Sequence, residues 1–243
     1  MNRKVVTRII PGLVALFAAL SAGRPAQAQE AKTPYPSMAS VEQYFMPDRN
    51  AEIALARSAA PKAISSQAEI LVLGQHGYET ASQGTNGWVC MVERGWTYPD
   101  HSFREFWNPK IRGPECLNPP AARSILPITR KTAELALAGR SRAEIIAGVE
   151  DAYARKEMPA LEPGAMGYML SKDAYLTDTS DHNGPHLMFY LPHKDPAPWG
   201  ANVADSPVLR GAEIKGAQPI DILMIPVDEW SDGTMAPPAG IFK

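Results

Sequence analysis

Apolar and polar positions follow several distinct rhythms along the 243 residues, and each rhythm predicts an element. Residues 13–20 are uniformly apolar, with Arg3, Lys4 and Arg8 in front and Ala26-Gln27-Ala28 behind. This is the three-part pattern of a secretory signal with a small-residue cleavage site, and it falls short of the ~20 apolar residues that a membrane-spanning helix needs. Residues 1–28 are therefore expected to be removed. Residues 29–40 ("QEAKTPYPSMAS") read as an extended leader, and residues 41–243 as a single domain.

Within that domain, Ser40 with Gln43 has capping-box spacing ahead of a short helix over 41–45, and Asp48 can cap a second helix that Pro61 ends. The rhythm then changes to two β-rich runs, 70–73 and 88–92, separated by Gly74, Gly77, Gly84 and Gly87, which predicts a meander of antiparallel strands. Residues 96–120 are aromatic, proline-rich and without period, and read as a long ordered loop. Asn118 before Pro119 starts a helix with Ile125, Ile128, Thr132 and Leu135 on one face, interrupted at Pro127 and ended by Gly139. Ser141 with Glu144 forms another capping box, followed by Ile145, Val149, Ala152 and Tyr153 at helical spacing. Two helices so closely joined make an αα-hairpin. Strands are expected again at 166–171, 186–191 and 220–227, with turn chemistry between them in place of crossover helices, which favours antiparallel pairing. The predicted fold is α+β: an antiparallel sheet of about five to seven strands with the helical hairpin packed on one face.

Composition narrows the function. Without residues 1–28 the chain loses four bases (Arg3, Lys4, Arg8, Arg24), leaving 20 Lys and Arg against 26 Asp and Glu, a net charge of −6. An acidic chain without a basic run has no electrostatic reason to bind nucleic acid or anionic lipid, and no later segment is apolar enough for membrane insertion. Cys90 and Cys116 are the only cysteines. In an exported, periplasmic or secreted protein an even count predicts a disulfide; a redox-active pair would want C-x-x-C spacing, which is absent.

The strings G-x-S-x-G, S-x-x-K, G-x-x-x-x-G-K-[ST], G-x-G-x-x-G and H-E-x-x-H do not occur. A calcium loop starting at Asp178 fails at its twelfth position, Phe189, where a glutamate is required. What remains is "DHNGPHLMFYLPH" (181–193), which holds three of the five histidines. On a strand, Leu187, Phe189 and Leu191 point one way and His186, Met188 and Tyr190 the other; the first set reads as the core face. The candidate catalytic residues are then His186, His182, Asp181 and Tyr190, and the candidate ligands of a transition metal are His182 and His186. Four extended residues separate the two histidines by roughly 13 Å, so the chain must fold back between them for both to reach one ion. The competing reading makes His186 a half-buried strand residue with one hydrogen bond. His101, Arg104 and Glu105 could line a pocket with Trp96, Phe106 and Trp107, although aromatic residues in such a loop more often anchor it.

The stretches "GTNGWVC" (84–90), "FWNPKIRGPEC" (106–116), "PHLMFYLP" (185–192) and "VDEWSDGT" (227–234) together resemble a group of uncharacterised exported bacterial proteins. The resemblance runs over most of the mature chain and implies no activity, fold, cofactor or residue role. Two functions are left: a non-catalytic module binding a small molecule or protein partner in an aromatic-lined groove, and a metal-assisted or histidine-based hydrolase built on the His182/His186 region.

Overall fold

Each cap that the sequence marks strongly is formed. Asp48 Oδ1 accepts from Asn50 N at 2.8 Å and opens α1 (Arg49–Arg57), which ends ahead of Pro61; that proline precedes a single further turn, α2 (Lys62–Ser65). Asn118 Oδ1 accepts from Ala121 N at 3.0 Å and opens α3 (Pro119–Ser124). The break at Ile125 beside Pro127 separates α3 from α4 (Leu126–Leu137), and Gly139, at φ 73°, turns the chain out of it. Both halves of the Ser141/Glu144 capping box are made at the start of α5 (Arg142–Ala154). The weaker signal at Ser40 yields one 3₁₀ turn, Val41–Tyr44, with no side-chain cap to its backbone.

The computed structural model describes residues 34–98, 103–179, 184–193, 195, 197–201, 203–214 and 220–237. The expected signal segment and the first part of the leader lie outside them, as do His101, Asp181 and His182. Among the described residues no helix is long and apolar enough to cross a membrane.

The chain is α+β. Its strands are β1 (Glu69–Gly74), β2 (Gly77–Ser82), β3 (Val89–Glu93), β4 (Gly113–Leu117), β5 (Met166–Met169), β6 (His186–Pro192), β7 (Leu209–Ile214) and β8 (Ile220–Pro226), in the spatial order β2-β1-β3-β4-β5-β6-β8-β7. All pairings are antiparallel except β1 with β3. That parallel contact arises because the chain leaves β2 at the sheet edge and passes the start of β1, Thr85 N donating to Gln67 O and Glu69 N to Trp88 O, before entering β3. Gly84 permits this close passage, since a Cβ there would stand 2.1 Å from Glu69 N, and Gly87, at φ 76°, makes the turn back. Asn86 fixes it by donating from Nδ2 to Ile64 O at 2.8 Å and accepting from Trp88 N at 3.0 Å. The "GTNG" text is thus accounted for by backbone geometry.

Alternation on β1, β3 and β4 divides the core. Leu71, Leu73, Val89, Met91 and Leu117 pack with Ile128, Ala133, Ala136, Ile145 and Val149 of the α4–α5 hairpin. Ile70, Cys90, Val92 and Cys116 pack on the opposite face with Ala56 of α1 and with Ala59 and Ala60. Cys90 and Cys116 are directly opposite in the β3–β4 register and are disulfide-bonded.

Two expectations need correction. Residues 96–120 are not wholly loop: β4 occupies 113–117, hidden from pattern reading because Gly113 and Pro114 are poor strand formers taken alone and gain their place by pairing between β3 and β5. On β6 the core face is the reverse of the one expected: His186, Met188 and Tyr190 are buried, at 2–3% exposure, while Leu187, Phe189 and Leu191 are only half-buried. The buried side faces the layer formed by the hairpin and by residues 94–98 and 103–112, and that cover, not intrinsic hydrophobicity, decides which side is the core.

Candidate functional site

The register carries one face of the sheet across β3, β4, β5, β6 and β8 as a continuous floor. Glu93 stands opposite Gly113, Met91 opposite Glu115, Met169 opposite His186, Met188 opposite Met224 and Tyr190 opposite Ile222. Above this floor lie residues 94–98 and 103–112, between β3 and β4. They are held down by Trp96, Phe106 and Trp107, all buried, with Trp96 and Trp107 in edge contact and Tyr44 against Trp96 at 4.5 Å between centroids. The aromatic residues in this segment are anchors, as weighed from sequence.

Between floor and roof lies a cavity of about 530 Å³. Glu93, Gly113, Met169, His186, Met188, Ile222 and Met224 line it from the sheet; Arg94, Tyr98, Phe103, Arg104, Glu105 and Ile111 line it from the roof segment. Gly113 helps to open the space, because the residue opposite Glu93 brings no side chain. Room here is tight enough that a Cβ on Gly113 would come within 2.9 Å of Leu176 Cδ2.

The acid end of the cavity is the least expected feature. Glu93 and Glu115 are diagonal neighbours on adjacent strands, both buried. Tyr190 donates its phenol proton to Glu115 Oε1. The Tyr98 hydroxyl lies 3.2 Å from Glu115 Oε2 and 2.9 Å from the Tyr190 hydroxyl, so its one proton serves either the carboxylate or the second phenol. Gly167 makes this packing possible on β5, since a Cβ there would stand 2.3 Å from Glu115 Oε1. Burial pushes the Glu93 carboxyl well above the ordinary carboxylate range, and the negative Glu115 beside it adds to the effect. Burial raises Glu115 too, opposed by hydrogen bonds from Glu93, Tyr190 and Tyr98. Adjacent buried like charges repel, so the site disfavours ionising both carboxyls at once. Glu93 Oε1 is buried and accepts no hydrogen bond from any described group.

The arginines of the wall are already engaged. Arg94 Nη2 pairs with Glu52 Oε1 at 2.8 Å, both side chains almost fully buried, and Arg94 Nε donates to Tyr44 O at 2.7 Å. The Glu105 carboxylate accepts from Asn108 Nδ2, Thr177 Oγ1 and Asp178 N. A second carboxylate with two phenols sits at the rim. Asp178 accepts from Tyr35, Tyr175, Asn108 and Lys110, the last at 2.8 Å. Here the Lys110 ammonium, then the tyrosines, hold the carboxyl below its ordinary value.

Of the residues proposed from sequence, the structure brings His186 and Tyr190 to one face, as alternation required. His186 lines the cavity; its Nδ1 lies 2.8 Å from Gly184 O, which makes Nδ1 the donor, and burial lowers its pKa, so the ring is neutral near pH 7. Tyr190 belongs to the acid pair. Asp181 and His182 lie outside the described residues, among which no group of three or more His, Cys, Asp or Glu is placed to hold a metal ion. Sequence reading missed Glu93, Glu115 and Tyr98. The available signal was period two: Glu93 shares a side with Met91, and Glu115 with Leu117, each a charged residue on a side that is otherwise apolar. No protein-family model, curated protein or solved structure matches the chain.

Proposed function

We propose that this chain is a non-catalytic binding module for a small molecule with a mainly apolar body, acting outside the cytoplasm. The observation that carries the reading is the cavity of about 530 Å³ between the sheet and residues 94–98 and 103–111, a size within the ~300–1,000 Å³ of small-molecule sites. Its walls include Met169, Met188, Met224, Ile111, Ile222, Tyr98 and Phe103, and the methionines adapt to varied apolar shapes. The disulfide and the N-terminal signal pattern support an oxidising, periplasmic or secreted location.

Saturable binding of a neutral apolar dye such as Nile red tests the reading. The wild-type protein is expected to bind about one dye per chain, and Met224→Trp, which fills the cavity from a half-buried wall position, to bind it at least ~10-fold more weakly. Absence of saturable binding by the wild-type protein, with the fold intact by circular dichroism, overturns it. The hydrolase alternative is separated by metal analysis of protein purified from its exported form: a stoichiometric transition metal supports that alternative against the binding module.

A further inference from the structure

We infer that the acid end of the cavity, Glu93 backed by Glu115, is a recognition site for a protonated amine carried on the apolar ligand. The inference rests on the binding reading above and names the ligand class that the site takes.

Three observations point the same way. Glu93 is on the cavity wall, 5% exposed, and its Oε1 has no hydrogen-bond partner. Buried carboxyl oxygens are normally satisfied, so an orphan at a cavity wall is an acceptor awaiting a donor. Every described group that hydrogen-bonds Glu115 is a phenol or the other carboxyl, and no described cation pairs with either glutamate. Ionising a buried carboxyl without a counter-ion is costly, and a ligand ammonium supplies that counter-ion. The remaining walls suit a cation's flanks and an apolar body: Tyr98 and Phe103 present aromatic surface, and Met169, Met188 and Met224 present polarisable sulfur.

The nearest contrary feature is Arg94, also on the wall. Its guanidinium is committed to Glu52 and to the carbonyls of Tyr44 and Val92, so its charge is balanced within the fold. Arg104 faces the same cavity from the roof; were it the recognising group, the ligand would be an anion, and the experiment separates the two.

Titration calorimetry on the intact, disulfide-bonded protein compares three probes of one shape: 4-phenylbutylamine, 4-phenylbutan-1-ol and 4-phenylbutanoate. The amine is expected to bind roughly 10- to 100-fold tighter than the alcohol, as for a hydrogen bond between charged groups in a desolvated site. The carboxylate is expected to bind most weakly. Glu93→Gln keeps the shape and is expected to remove the amine's advantage while leaving the alcohol within about twofold; its fold is checked by thermal melting, and Glu115→Gln, expected to act in the same direction, substitutes should Glu93→Gln not fold. Equal binding of amine and alcohol, tighter binding of the carboxylate, or an amine preference that survives both substitutions overturns the inference while the cavity reading stands. Failure of all three probes together with Nile red overturns the binding reading itself.

Discussion

Strands β3 and β4 carry two cross-strand pairs, one on each face, and the two could hardly differ more in what they do to the fold. Under α1, Cys90 and Cys116 face each other across the ladder and are covalently joined within an apolar cluster. Under the roof segment, Glu93 and Glu115 are diagonal neighbours, acidic, buried and held by two tyrosines. The first pair restricts the unfolded chain and adds nothing that needs solvation. The second buries two ionisable carboxyls side by side, where burial favours their protonated forms. The same two strands therefore hold a stabilising face and a face whose chemistry works against stability, which is the arrangement expected where a cavity is kept for binding.

Breaking the closed face has the largest expected effect. The disulfide spans a sequence separation of 26, and on the chain-entropy scale the Cys90→Ala/Cys116→Ala protein loses about 3.5 kcal/mol, read by denaturant unfolding without reductant. An unchanged midpoint would show that the crosslink adds nothing beyond the ladder.

Next comes the open face. Glu115→Ala strips the acceptor from Tyr190 and Tyr98 and leaves a hole, for an expected loss of about 2–3 kcal/mol. Its companion change has the opposite sign. Glu93 has a folded-state pKa raised above the ~4.3 of an unfolded glutamate, so the folded state holds its proton longer; the resulting stabilisation is fully present below about pH 4.3 and is lost as pH rises toward the folded value. Glu93→Gln cannot undergo this loss. It is expected to melt higher than the wild type at pH 7 by an amount equivalent to roughly 1–2 kcal/mol, and to show a flatter decline with rising pH. A variant less stable than the wild type at pH 7 would mean that the acid pair is a net structural asset.

The smallest effect is at the rim. Asp178 resembles Glu115 in having two phenolic donors, but it is about one-third exposed and paired with Lys110. Its pKa is lowered, so its contribution is present above the unfolded value of ~3.9 and lost as pH falls through the folded one. Solvent screening limits Asp178→Asn to about 1 kcal/mol or less, diminishing with salt. A loss as large as that of Glu115→Ala would remove burial as the reason the two carboxylates differ.

Much of this architecture was legible in the sequence, and the reason is locality. Asp48, Asn118 and the Ser141/Glu144 box cap helices through hydrogen bonds to residues two or three positions away, so their signals need nothing beyond the neighbouring chain. The period of β6 likewise put His186, Met188 and Tyr190 on one side, as found. β4 was missed because its strand character comes from its neighbours, and "GPECL" lacks the β-branched run that would announce it.

The sequence by itself determined the caps, the strand periodicities, the α+β class and the two cysteines available to pair. Tertiary structure alone decided which side of β6 is buried and that Glu93, Glu115, Tyr98 and Tyr190 meet. Alternation states which residues share a side, but not which side another layer will cover; that depends on the hairpin and on residues 94–98 and 103–112, dozens of residues away in the chain. The acid pair likewise depends on a register that sets Met91 against Glu115 and Glu93 against Gly113, and on Gly167 leaving space on the next strand. Pairing of that kind is fixed by the packing of the whole sheet, which no local run of residues encodes.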